Sequence, residues 1–337
     1  MAEKQVFLTD EERQFHKDEL LKIGDGTIGR DIFHMLIARY KVLYIRSCEE
    51  DRVLECLKHI SLYDGLDLFR WDVSCGLLNA HSEEQVSASD SEVHESPVAV
   101  LSYIIEQAKS DHEKMKENKI GKRGRVYVLL DFHHYLDGLP ILERKFKEFA
   151  RISSISCIVI ISPLYLCPPS LDKEFTLIEF PYPSSKEIKS TLDKIITEIP
   201  ADYPEAVSWA KEHEEEIINS ARGLTVCEAE NAYAKSLVRH KMFDINTILD
   251  EKKQLIRKSG ILEYKDPEHT FDEVGGLDSL REWLEQRKLS FREDAQEYGL
   301  PLPKGVLLLG IPGCVLKDTK IRVKKISNKG KHKIFDE

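Results

Sequence analysis

The chain has 337 residues, enough for two domains with separate cores, and 42% hydrophobic with 32% charged residues is the balance of a globular protein in water. A formal net charge of -10 excludes a surface built mainly for nucleic-acid phosphates, although a local basic site stays open. No apolar run approaches the ~18 residues needed to cross a membrane, and Met1-Ala2-Glu3-Lys4-Gln5 opens a charged stretch without an apolar signal core.

Residues 1–40 carry apolar positions at helical spacing (Phe15, Leu20, Leu21, Ile23, then Ile32, Phe33, Leu36, Ile37). Val42-Leu43-Tyr44-Ile45 predicts a strand that feeds a helix through Val53, Leu54 and Leu57. Leu68 to Val73 predicts a second strand, Ala80 to Ser96 an exposed acidic loop, Val98 to Ala108 a helix, and Lys114 to Arg125 a basic connection. Val126-Tyr127-Val128-Leu129-Leu130 reads as a buried strand ending in Asp131-Phe132-His133-His134. A helix over Leu142 to Phe149, a strand over Cys157 to Ile161, a Pro-rich turn and a last strand over Phe175 to Phe180 follow. Continuous apolar strands alternating with helices favour a parallel sheet covered on both faces, an α/β fold. Residues 185–260 read as helices only, including Ile188 to Ile196, Ala206 to Ser220 and Thr225 to His240.

A phosphate-binding loop needs a glycine-rich turn after a strand, a lysine and a hydroxyl. The turn after the first strand offers Ser47-Cys48-Glu49-Glu50-Asp51 instead, which repels a triphosphate. Asp131 stands where a magnesium-organising carboxylate would, at the end of an apolar strand. Without a glycine-rich cradle its expected role is structural. His133 and His134 are adjacent and would point to different sides, and no ligand set with metal spacing surrounds them, so no metal site is expected. The seven cysteines (Cys48, Cys56, Cys75, Cys157, Cys167, Cys227, Cys314) form no CxxC pair and read as the reduced thiols of a cytosolic protein.

A second sheet domain opens after Leu262. Thr270-Phe271-Asp272-Glu273-Val274-Gly275-Gly276-Leu277 precedes a helix with Leu280, Trp283 and Leu284. Val306-Leu307-Leu308-Leu309 then predicts a strand running into Gly310-Ile311-Pro312-Gly313, the context of a phosphate loop. Cys314-Val315-Leu316-Lys317 follows, and the Gly-Lys-Ser/Thr is absent.

The pairing of Val274-Gly275-Gly276-Leu277 with Pro303-Lys304-Gly305-Val306 and Gly310 to Gly313 resembles the AAA ATPases. It is closer still to the hypothetical chloroplast reading frame 46 AAA ATPases of cyanobacteria and plastids. The shared segments are Trp71-Asp72, Asp131-Phe132-His133, Ser162-Pro163, Gly223 to Asn231, Glu251 to Glu263 and Val274 to Arg287, within residues 10–313. The resemblance implies a degenerate P-loop-like α/β domain over 1–184, a helical subdomain over 185–262, and the start of an AAA domain over 263–313. It also implies that Val274, Gly275, Gly310, Ile311, Pro312 and Gly313 form part of an ATP site. A completed loop would bind ATP and magnesium in a hexamer-type assembly. As written, the chain lacks the catalytic motifs and is not expected to hydrolyse ATP.

Residues 314–337 carry eight lysines and arginines against three acidic residues, a net of +5, and the remainder carries -15. The segment from Cys314 to Val323 resembles the start of an intein, with an initial Cys, two apolar residues and Asp318-Thr319-Lys320-Ile321-Arg322-Val323. The resemblance makes Cys314 a splicing nucleophile attacking the Gly313 carbonyl. It implies either a partner chain carrying the intein C-terminus, which would complete the ATPase by trans-splicing, or a broken gene. The alternative is a divergent tail without chemistry, on a non-enzymatic interaction protein. No residue marks the substrate.

Overall fold

Val42, Leu43, Tyr44 and Ile45 are all fully buried, which requires that strand to have a covering layer on each face. In the computed structural model, which describes residues 9–299 except 25, 87–90, 117–123, 153–154, 199–203, 259–277, 292–294 and 296–297, β1 (Val42–Arg46) lies inside the sheet. It pairs in parallel with β5 (Cys157–Ser162) on one side and β6 (Phe175–Glu179) on the other. β4 (Arg125–Leu130) is parallel to β5, β2 (Asp67–Asp72) is parallel to β4, and β3 (Gly76–Asn79) closes that edge antiparallel to β2. The order is β3-β2-β4-β5-β1-β6.

Side chains alternate between the two faces with the period of two that a strand imposes. Leu43, Ile45, Val128 and Val159 share a core with Ile32 and Leu36 of α2 (Ile28–Ile37) and Val53, Leu57 and Ile60 of α3 (Glu50–Asp64). Val42, Tyr44, Leu129 and Ile160 share the other with Val100, Leu101 and Ile104 of α4 (Pro97–Lys116) and Leu142, Phe146 and Phe149 of α6 (Pro140–Arg151). Each such aliphatic side chain contributes roughly 1.5–3 kcal/mol on burial. α1 (Asp10–Leu20) starts on a Thr9–Glu12 capping box and joins the first core through Leu20. The short α5 (His133–Leu136) follows β4 directly.

The helices after residue 184 are α7 (Ser185–Glu198), α8 (Pro204–Glu212), α9 (Glu214–Ala221), α10 (Val226–His240) and α11 (Ile245–Lys258). They bury a core of their own around Ile188, Leu192, Ile217, Tyr233 and Phe243. The chain divides into two compact units, Met1–Leu262 and Glu263–Glu337. In the second, α12 (Asp278–Lys288) sets Arg287 over the Trp283 ring, 5.1 Å from its centroid.

The local reading needs correction at four places. The stretch Ala80 to Ser96 is not simply an exposed loop: Ala80 and Val93 are buried, and the Trp71 indole N–H donates to the Val93 carbonyl at 3.2 Å. The edge strand β3 escaped the reading because its four residues carry only Leu77 and Leu78 as apolar signal. Gly76, at φ 79°, makes the reversal into it; a Cβ there would lie 2.6 Å from His94 Cβ. The helix expected over Ala206 to Ser220 is two, broken at His213, and α4 continues to Lys116. Among the described residues, no helix is long and apolar enough to cross a membrane.

Candidate functional site

The connections leaving the neighbouring strands β1 and β5 run in opposite directions: the chain leaves β1 through α3 for β2, beyond β4, and leaves β5 for β6, on the far side of β1. In open α/β sheets such a switch point opens a crevice at the carboxyl ends of the strands, where ligands bind. Here the crevice lies between the turn Ser47–Glu49 and the helical subdomain, with a volume of about 1030 Å³.

A buried ion network occupies its wall. Arg52, one turn into α3, donates from Nε to Glu187 Oε1 at 2.7 Å, from Nη2 to the Pro181 carbonyl at 2.8 Å, and from Nη1 to Glu49 Oε2. The guanidinium also lies over the Phe180 ring, 4.9 Å from its centroid. The three side chains are only 9%, 11% and 14% exposed for Arg52, Glu49 and Glu187.

Each carboxylate has a second duty. Glu49 Oε1 accepts from the Val226 N–H at 2.8 Å, at the first residue of α10, where an unpaired helix N–H favours an anion. Glu187 Oε2 accepts from the N–H groups of Ser184 and Gly24, both at 2.8 Å. The Ser184 pairing is a capping box at the start of α7. Gly24 sits at φ 61°, where a Cβ would stand 2.7 Å from Pro181 Cγ, so glycine allows this close approach. One arginine thus ties α3, the entry to α2 and the helical subdomain together.

This arrangement does not fit a nucleotide triphosphate. The turn after β1 presents Glu49, Glu50 and Asp51 to the crevice. Two of its N–H groups are committed as well: Ser47 donates to the Ser162 carbonyl at 2.9 Å, and Glu49 to Ser47 Oγ at 3.0 Å. The Val226 N–H at the facing helix start is already capped by Glu49. Lys22, Lys186 and Lys194 line the crevice, but Lys22 is paired with Glu19.

A second, smaller pocket of about 430 Å³ opens where β2 and β4 end, lined by Glu50, Asp72, Asp131 and His134 among others. Asp131 has a left-handed backbone, φ 50°, sparsely populated for a residue with a side chain, and turns the chain straight into α5. His133 and His134 therefore do not point to different sides: on a helix, neighbours are about 100° apart, against 180° on a strand. Their ring centroids lie 3.9 Å apart. Donor atoms of Asp131, His133 and His134 all lie within 4.8 Å of one another. Burial, then the neighbouring His134, pushes His133 below its ordinary value. Burial, then Asp131, raises the Glu50 carboxyl.

Of the residues singled out in the sequence, Val274, Gly275, Gly310, Ile311, Pro312, Gly313 and Cys314 lie outside the described residues. Arg52 and Glu187 were not singled out. Their signals were local: Arg52 stands three residues after Glu49, and Glu187 three after the cap Ser184.

A family model described as "SpoVK-like AAA ATPase, N-terminal domain" matches residues 29–180, and "SpoVK-like AAA ATPase, second domain" matches residues 186–259. The chain is 30% identical over 289 residues to an "Uncharacterized AAA domain-containing protein ycf46" of Trieres chinensis, covering 84% of this chain and 53% of that protein. It is 29% identical over 291 residues to the protein of that name in Guillardia theta, with 84% and 52% covered. The chain spans about half the length of the curated relatives it matches. Among solved structures, "Structure of C. elegans PCH-2" aligns with 71% of this chain and 72% of that chain, at 13% identity and TM-score 0.41. A FIGL-1 AAA domain in complex with ADP aligns with 85% and 90%, at 11% identity and TM-score 0.38.

Proposed function

Because the chain belongs to the AAA ATPase family, carrying the N-terminal and second domains of its SpoVK-like branch, we propose that it is the front portion of an ATPase whose own nucleotide site is completed by protein splicing at Cys314. In this reading the sheet domain around β1 holds no nucleotide. ATP falls to the AAA domain that begins near residue 263. Val274 and Gly275 lie against the base, and Gly310, Ile311, Pro312 and Gly313 begin the phosphate cradle.

The observation that carries the proposal is the junction after Gly313. A phosphate loop requires Gly-Lys-Ser/Thr there, and the chain has Cys314-Val315-Leu316-Lys317 with an abrupt change to a net +5. The Cys314 sulfur attacks the Gly313 carbonyl carbon. The peptide bond between them breaks, a thioester forms, and the Cys314 amine takes the proton. The acyl group then passes to a Ser, Thr or Cys at the start of the partner's ATPase half. A Gly-Lys-Ser after that residue would supply the lysine for the terminal phosphates and the hydroxyl for magnesium. The finished protein would assemble as a hexamer-type machine.

A second reading is favoured by the Arg52 network: a folded module whose crevice does not fit a triphosphate suits a non-enzymatic interaction protein. One experiment separates the two. The chain is mixed with a polypeptide carrying an intein C-terminal half followed by Ser/Thr/Cys-Gly-Lys-Ser. A ligated product containing residues 1–313, lost in Cys314→Ala, supports splicing; ligation that survives Cys314→Ala, or none at all, supports the interaction module.

A further inference from the structure

We propose that Asp131, His133 and His134 form a binding site for a divalent transition-metal ion of the zinc class, with one coordination position left open toward the pocket shared with Glu50. Their donor atoms lie within 4.8 Å of one another. A tetrahedral zinc with bonds of about 2.0–2.1 Å needs its ligand atoms about 3.4 Å apart, so closing the set takes movements on the order of 1 Å. Asp131 and His134 are exposed and have the room to make them; His133 is held.

The independent observation is His133 itself. It is 2% exposed, and its Nδ1 is buried with no hydrogen-bond partner among the described residues. The nearest acceptor, Asp131 Oδ1, stands 3.7 Å away, beyond a hydrogen bond and on the side where the ion would sit. A buried ring nitrogen that has lost water and gained no partner is unfavourable as it stands, and an ion would satisfy it. The surroundings attract a cation: Glu50 and Asp72 line the same pocket. Two imidazoles with one carboxylate suit zinc, nickel, copper or ferrous iron, whereas magnesium and calcium take oxygen ligands. Three protein ligands are the number found where a fourth position stays open to water or substrate.

The test uses the full chain, stripped with a chelator and titrated with zinc by calorimetry and with cobalt by absorption spectroscopy. One ion should bind per chain, and the cobalt complex should show a tetrahedral visible spectrum without the near-ultraviolet band of thiolate ligation. Asp131→Asn and His134→Ala alter exposed side chains, and unaltered unfolding curves without metal would establish that they fold. Each should weaken binding by about 100-fold, at or above the loss seen for a metal site's outer partners. His16→Ala, which breaks up the other close histidine pair (His16 and His59), should leave binding unchanged. Absence of zinc binding, undiminished affinity in both site variants, a thiolate band, or a preference for magnesium would each overturn the assignment.

Discussion

Arg52 Nε lies 2.7 Å from Glu187 Oε1, joining the helix that follows β1 to the first turn of the helical subdomain. Both side chains are nearly buried, so removing one partner strands a charge. Arg52→Met is expected to destabilise the protein by about 3–5 kcal/mol in urea unfolding, the range for breaking a buried pair. A loss below about 1 kcal/mol would place the pair with exposed salt bridges. Combining Arg52→Met with Glu49→Gln and Glu187→Gln should recover part of the loss, because the uncompensated charges go with it.

Phe132, fully buried between Trp71, Tyr135 and Phe146 at centroid separations of 5.6, 5.6 and 5.8 Å, anchors the chain between Asp131 and His133. Phe132→Ala should cost about 3–5 kcal/mol by the same measurement, from lost transfer free energy and the cavity left behind. Phe132→Leu should cost less than half of that.

The strands β1, β4 and β5 were legible because each is an unbroken apolar run, the mark of a strand buried on both faces. β3 was not, since four residues at a sheet edge carry too little periodicity to separate from a loop. The acidic character of the turn after β1 was legible in Glu49, Glu50 and Asp51, and all three line the crevice. The local cues at Arg52 and Glu187 were visible separately, but their pairing stayed hidden because the two lie 135 residues apart. His133 and His134 were expected to point to different sides; the left-handed turn at Asp131 starts a helix there instead, and the two rings lie together.

His16 Nδ1 and His59 Nδ1 lie 2.9 Å apart, a contact that one proton can serve and two cannot. Burial, then the charge of His16, holds His59 below its ordinary value; Glu55 and Glu19 oppose this without reversing it, and Lys22 adds to it. The unfolded chain therefore takes the proton first as pH falls. This contribution to stability is present above about pH 6.5 and is lost as pH falls through the folded value. Urea midpoints at about pH 7.5 and about pH 5.5 should show the decline, and His59→Gln should flatten it. An equal decline in the variant would remove His59 from the account.

If residues 314–337 meet an acidic intein half, their +5 charge speeds the encounter. Screening shortens its reach to about 10 Å at 0.1 M salt. Ligation at low fragment concentration should then slow as salt is raised, while Cys314→Ala gives no product at any salt. A salt-independent rate would assign the lysines to keeping the tail in solution.

Arg52, Glu49 and Glu187 occupy the wall of the first crevice, and Gly313 runs into Cys314 without Gly-Lys-Ser/Thr, so the chain as written is expected not to bind nucleotide. Equilibrium binding of ATP with magnesium to the purified full chain, followed with a fluorescent analogue and competed with unlabelled ATP, tests this most directly. The account predicts no saturable, competable signal and no magnesium-dependent turnover above background. Saturable binding that is competed by ATP would contradict it.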